Sequence, residues 1–138
     1  MLTDEQELRR VSLESFEDIV TARQSVLQLM AEMGFNLLDQ TRMVTAVSEL
    51  ARNVVVHSGV GQMRIVTAAE MGEGTHGIRC LFEDNGPGIP DIERAMRAGI
   101  NSTESVGLGL AGARDLSDVF TINSVPGHGT RVSITKWR

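Results

Sequence analysis

Several classes of protein are closed to this chain by what it lacks. It has one cysteine, Cys80, so no internal disulfide framework can form and a cysteine-rich metal site is excluded. Basic residues do not outnumber acidic ones. The formal net charge is −5, and the excess that releases counterions from a nucleic-acid backbone is missing. Lys136 is the only lysine and it stands two residues from the end. No G-x-x-x-x-G-K-[ST] run occurs, which excludes a P-loop enzyme. No apolar run approaches the roughly 18 residues of a membrane span. The opening "MLTDEQELRR" is polar and acidic without a signal-peptide core, so the expected location is cytoplasmic, with no membrane and no nucleic-acid partner.

What is present suits a globular fold. Hydrophobic residues make up 41% and charged residues 22%, and 138 residues suffice for one domain with a sizeable core. The expectation is a single domain over 1–138, without internal repeat or linker.

"RRVSLES" reads as a first strand with Val11 and Leu13 on one face. Ser15 then fits a helix N-cap, with Asp18 in the capping-box position. Ile19, Val26, Met30 and Met33 fall on one helical stripe, which Gly34 ends. Asn36 can cap a second helix, with Met43, Val47, Leu50 and Val54 as its stripe, before "HSGVG" breaks it. "QMRIVTAAEM" and "GIRCLFED" alternate like a hairpin about "GEGTHG", and "VFTINSV" and "TRVSITKW" like another about "PGHG". Cys80 points inward on this pattern and reads as a buried, inert thiol. Between the hairpins the sequence predicts a short helix from about Pro90 to Ala98, a polar loop, and a helix from about Gly109 to Leu116. The fold class expected is α+β: a two-layer sandwich, with a mixed, mostly antiparallel sheet and helices on one face.

Three stretches could carry chemistry. "SELARN" puts Glu49 and Asn53 four apart on one helical face, taken to lie opposite the apolar stripe. An isolated E-x-x-x-N fits a solvated polar face. It also fits a magnesium site, where the Asn oxygen helps hold a hard cation and the Glu orients or deprotonates a nucleophile. "EDNGPGIP" sets Asp84 at a strand end, able to accept a hydrogen bond from an exocyclic amine such as adenine's. Gly86 and Gly88 follow and let a flat ring approach the backbone. The same stretch fits a capped loop with Pro90 in the first turn of the next helix. "SVGLGLAG" contains Gly107, Gly109 and Gly112 in a G-x-G-x-x-G array. No strand precedes it and no acid follows at the ribose distance, so the dinucleotide reading fails. A glycine loop entering a helix still makes an anion site from backbone N–H groups.

The order of these pieces, with Gly129-Thr130 opening the last strand, resembles the N, G1 and G2 boxes of the GHKL ATP-binding fold, which includes histidine kinases, gyrase B and Hsp90. "TARQSV…GF…DQTRMVTAVSELARN", "EDNGPGIPDI" and the closing "NSV.G..T…..KW" pattern are similar to the small bacterial anti-sigma-type serine/threonine kinases, among them the stressosome switch kinases. The resemblance runs from about Val11 to the last residues. It implies ATP and Mg²⁺ as cofactors, with Glu49 as general base and Asn53 holding the metal. It implies Asp84 on the adenine amine with Thr130 in support, Gly86 and Gly88 flooring the base pocket, and Gly107 and Gly109 over the phosphates. The acceptor it implies is a serine or threonine of a STAS-domain antagonist, and release from that partner would free the kinase to activate a downstream phosphatase. One departure is the acid and hydroxyl at Glu104 and Ser105, where relatives tend to carry more glycine or a basic residue. Arg52 and Arg114 could compensate, or be plain surface arginines.

The alternative of another class is an ATP-binding module that sequesters a partner without phosphotransfer. A detached sensor-kinase ATPase domain is disfavoured, because no acceptor domain accompanies it. His57 is expected to be a loop histidine rather than a phosphohistidine. His76 and His128 are placed in hairpin turns without metal-ligand spacing to Cys80, and Trp137 reads as packing.

Overall fold

The structure is a computed structural model that describes residues 5–70, 75–101 and 109–138. Strand β1 (Glu7–Leu13) leads into helices α1 (Phe16–Glu32) and α2 (Leu37–Asn53). A π-helical turn over Val54–Ser58 extends α2 and is closed by the Gly59 N–H on the Val54 carbonyl at 2.9 Å. The hairpin β2 (Gly61–Glu70) and β3 (Thr75–Asp84) follows, then α3 (Ile92–Asn101), α4 (Gly109–Leu116), β4 (Val119–Val125) and β5 (Gly129–Trp137).

The helix ends form for the reasons the sequence suggests. The Asp18 carboxylate accepts the Ser15 and Glu14 amides at 3.1 and 2.8 Å. After α1, Phe35 and Gly34 donate back to the Met30 and Ala31 carbonyls, the paired bonds of a Schellman motif. The Asn36 side chain accepts the Asp39 amide at 2.8 Å, capping α2. Several boundaries differ from expectation, among them the start of β3, at Thr75, and the end of α3, at Asn101 rather than Ala98. β1 starts earlier, at Glu7. α3 begins at Ile92, not in the turn containing Pro90, because the Asp91 carboxylate takes the Arg94 N–H at 3.0 Å and makes Asp91 the cap. His76 lies within β3 rather than in a turn, paired with Ala69, while His128 does lie in the β4–β5 turn.

Among the described residues the sheet has order β1-β2-β3-β5-β4 and every pair is antiparallel, so it is not mixed. Its register stacks the inner face in rows. Val11, Met63, Phe82, Val132 and Ile122 make one row; Ile65, Cys80, Ile134 and Phe120 make the next. These rows meet Ala22, Val26 and Met30 of α1, Met43, Val47 and Leu50 of α2, and Leu110 and Ala113 of α4. Burial at Cys80 raises its thiol pKa strongly, in keeping with an inert core residue. Lys136 is also buried. Its Nζ lies 3.3 Å from Asp118 and 3.6 Å from Asp39, tying β5 to the exit of α4 and the start of α2. No described helix is long and apolar enough to cross a membrane.

Candidate nucleotide site

The site is the next row of the core. Leu13, Gly61, Asp84, Thr130 and Ser124 lie side by side across the five strands, continuing the inner face past Phe82. Asp84 is two residues beyond Phe82, so strand alternation aims it inward, where the helices leave the sheet end open. Two glycines make room for it. A Cβ on Gly61 would sit 2.5 Å from Val54 and 2.6 Å from the Glu83 carbonyl; one on Gly129, whose φ is +96°, would land on the Asp84 carbonyl oxygen.

Hydrogen bonds hold the polar side chains of the row in place. Asp84 Oδ1 accepts the Gly86 N–H at 2.9 Å. Ser124 Oγ and Thr130 Oγ1 are 2.9 Å apart, and Ser124 Oγ also accepts the Ile89 N–H at 2.7 Å, pinning the loop after β3. The Gly127 N–H holds the same loop by the Pro87 carbonyl at 2.7 Å.

Above this floor is a cavity of about 410 Å³. Leu50, Val54, Phe82, Ile89 and Val132 give it apolar walls, and Asn53, Asp84 and Thr130 give it polar atoms. A mostly apolar cleft with a few directed polar groups is the form of a small-molecule site. Gly88 and Gly109 line it; Gly86 does not, lying instead against Ser58 and lining a second hollow. Gly107, Glu104 and Ser105 fall outside the described residues.

Glu49 and Asn53 flank the buried stripe of α2 rather than opposing it. At ~100° per residue they fall beside Leu50 and Ala46, not across the helix from them. Both are accordingly half-buried. Asn53 lines the cavity, whereas Glu49 turns towards α4, where its Oε2 accepts the Gly109 N–H at 3.2 Å. No cluster of three His, Cys, Asp or Glu side chains suitable for a metal exists among the described residues. A magnesium ion here would take the Asn53 oxygen, phosphate oxygens and water, a donor set that suits it. Arg114 is exposed and pairs with Asp115 at 3.4 Å.

Sequence reasoning missed Gly61, Ser124, Ser58 and His57 as parts of the site. His57 is not a loop residue: the π-helical turn carries it and Ser58 to the cavity wall. Such turns recur at functional sites, but the run "VVVHS" gives no sign of one. Ser124 stands in the quoted "NSV", yet only the register sets it beside Asp84's partner.

The chain belongs to the histidine kinase-, DNA gyrase B- and HSP90-like ATPase family, whose pattern matches residues 38–138. Within that family it is a protein serine/threonine kinase of the partner-switching kind. It is 44% identical over 120 residues to the serine/threonine-protein kinase RsbT of Bacillus subtilis, covering 87% of this chain and 89% of that one. It is 30% identical to the anti-sigma F factor of Thermoanaerobacter sp., covering 84% and 82% of the two chains. The solved RsbU and RsbW domains of Rv1364c from Mycobacterium tuberculosis share the fold with a TM-score of 0.61 at 21% identity, over 94% of this chain and 33% of that one. The chain thus spans about a third of that solved protein. ATP use and protein partners follow from family and relatives together.

Proposed function

We propose that this chain, acting as one domain, transfers the γ-phosphoryl of Mg-ATP to a serine or threonine of a STAS-domain antagonist protein, and that release from this partner frees it to activate a downstream phosphatase. The expected setting is the cytoplasm. The observation that carries the nucleotide reading is Asp84. Strand register sets this carboxylate beside Thr130 at the floor of an apolar cavity that Asn53 also lines.

The residues divide the work by position. Asp84 accepts the adenine amine, with Thr130 supporting it and Gly86 and Gly88 shaping the loop around the base. Asn53 offers its side-chain oxygen to Mg²⁺. Gly107 and Gly109 offer backbone N–H groups to the phosphates, an electrostatic role that needs no lysine. Glu49 accepts the proton of the acceptor hydroxyl as its oxygen attacks. Bound Mg-ATP supplies the transferable phosphoryl group and the charge neutralisation; the chain supplies positioning.

The test is incubation with Mg-ATP labelled at the γ-phosphate and a STAS-domain protein from the same genome. Label on a serine or threonine of that protein, reduced about 10²-fold or more in Glu49→Gln, is the expected result. ATP binding without any transfer by the unsubstituted protein would overturn the proposal in favour of nucleotide-gated partner binding.

A further inference from the structure

The contact between Glu49 and Gly109 joins residues 60 apart in sequence. Gly109 opens α4, and the first amides of a helix have no intrahelical partner. They carry partial positive charge and attract an anion. That anion is already present. Glu49 Oε2 accepts the Gly109 N–H at 3.2 Å, at the margin of the cavity that Gly109 lines. On the nucleotide reading above, a phosphate needs the same N–H. Two anions on one donor repel, so only one can hold it.

We propose that the Glu49 carboxylate is the resident anion of the α4 amino terminus, and that a nucleotide phosphate binds by displacing it. The inference rests on the ATP reading of the cavity. Nucleotide binding and release of the base then become one event. Without nucleotide, Glu49 is tethered to α4. With a phosphate on Gly109, the carboxylate is free to turn to an acceptor hydroxyl. When the nucleotide leaves, the carboxylate returns and α4 keeps a capped end. The arrangement lowers nucleotide affinity by the strength of the contact that must be broken.

The experiment is calorimetric titration of the full chain with adenosine and with the non-hydrolysable AMPPNP plus magnesium, for the unsubstituted protein, Glu49→Gln and Glu49→Asp. Aspartate keeps the charge but is one methylene too short to reach Gly109. Glu49→Asp is expected to bind AMPPNP about three- to tenfold more tightly, the range of one net hydrogen bond, and Glu49→Gln more tightly by a smaller factor, because its amide oxygen still reaches the Gly109 N–H but without the charge. Adenosine affinity stays the same in all three and reports that the fold is intact. In ¹H–¹⁵N spectra the Gly109 amide resonance should move in both variants before any nucleotide is added. Tightening in Glu49→Gln alone would mean simple charge repulsion and overturn the displacement. Unchanged or weaker AMPPNP binding in both variants, or a Gly109 resonance indifferent to them, would also overturn it while leaving the ATP reading intact. No binding of adenosine or AMPPNP to the unsubstituted protein would overturn both.

Discussion

The two ends of the cavity are built differently. At the floor, around Asp84, position is set by backbone packing: adjacent strands fix the row, and Gly61 and Gly129 are pressed against neighbouring carbonyls with no space for a Cβ. Towards α4, Asn53 and Glu49 are side chains on a helix flank, and Glu49 meets α4 through its hydrogen bond from the Gly109 N–H. On the proposed nucleotide reading, the base is a constant ligand and can be met by fixed geometry. Phosphates arrive, react and leave, so the groups that meet them must let go. The contrast is one of rigidity, and substitutions can probe it.

The largest effect is expected at the floor. Gly129→Ala combines a left-handed φ with a Cβ on the Asp84 carbonyl and should cost about 3–5 kcal/mol, read from denaturant unfolding. Gly127→Ala in the same turn has a similar φ of +81° but open space around its Cβ, so only the strain of about 1–2 kcal/mol remains. Equal losses at the two positions would break the argument that packing fixes Asp84.

Next comes the proposed base contact. Asp84→Asn should weaken adenosine and ATP alike by roughly 10- to 100-fold, the loss of a hydrogen bond to a charged acceptor, with little change in stability. Lys136→Met tests what ties α2 and the exit of α4 to the sheet. It leaves Asp39 at the start of α2 and Asp118 beyond α4 without their shared cation. Because both carboxylates are partly exposed, the expected loss is about 1–2 kcal/mol, below that of a fully buried pair. Phosphotransfer should fall more than adenosine binding does.

The smallest effect is on the face of the sheet turned away from the helices. Arg10, with Arg64 beside it, holds the Glu7 carboxyl below the ordinary carboxylate range through hydrogen bonds at 3.0 and 2.9 Å. The lowered value means the pairing stabilises the fold above the ordinary carboxylate pKa and is lost as pH falls through the depressed one. NMR titration of Glu7 should show its pKa rising in Arg10→Gln, and the original shift shrinking in high salt, without change in nucleotide affinity.

Much of this was legible in the chain. Alternation in "GIRCLFED" gave the strand and the inward face of Cys80, and the caps Ser15–Asp18 and Asn36 marked two helix starts, because these signals are local. The resemblance carried by "SELARN", "EDNGPGIP" and the final Gly-Thr pointed to the nucleotide fold and to Asp84, Asn53 and Glu49 as its residues. The α3 boundary was misplaced because Pro90 and Asp91 are both good starting signals, and the carboxylate's reach to the Arg94 amide decides between them. Glu49 and Asn53 were set opposite the core because the stripe was read without Ala46, whose small side chain hides how far the buried face extends.

The sequence by itself determined the order of helices and strands, the apolar rows of the sheet and the kind of chemistry its side chains allow, since these depend on periodicity and residue type. Only the tertiary structure decided that Ser124 stands beside Thr130, that the sheet is wholly antiparallel among the described residues, that a π-helical turn brings His57 and Ser58 to the cavity, and that Glu49 rests on Gly109. Each of these depends on strand register or helix docking between residues far apart in the chain, and no local pattern encodes that distance.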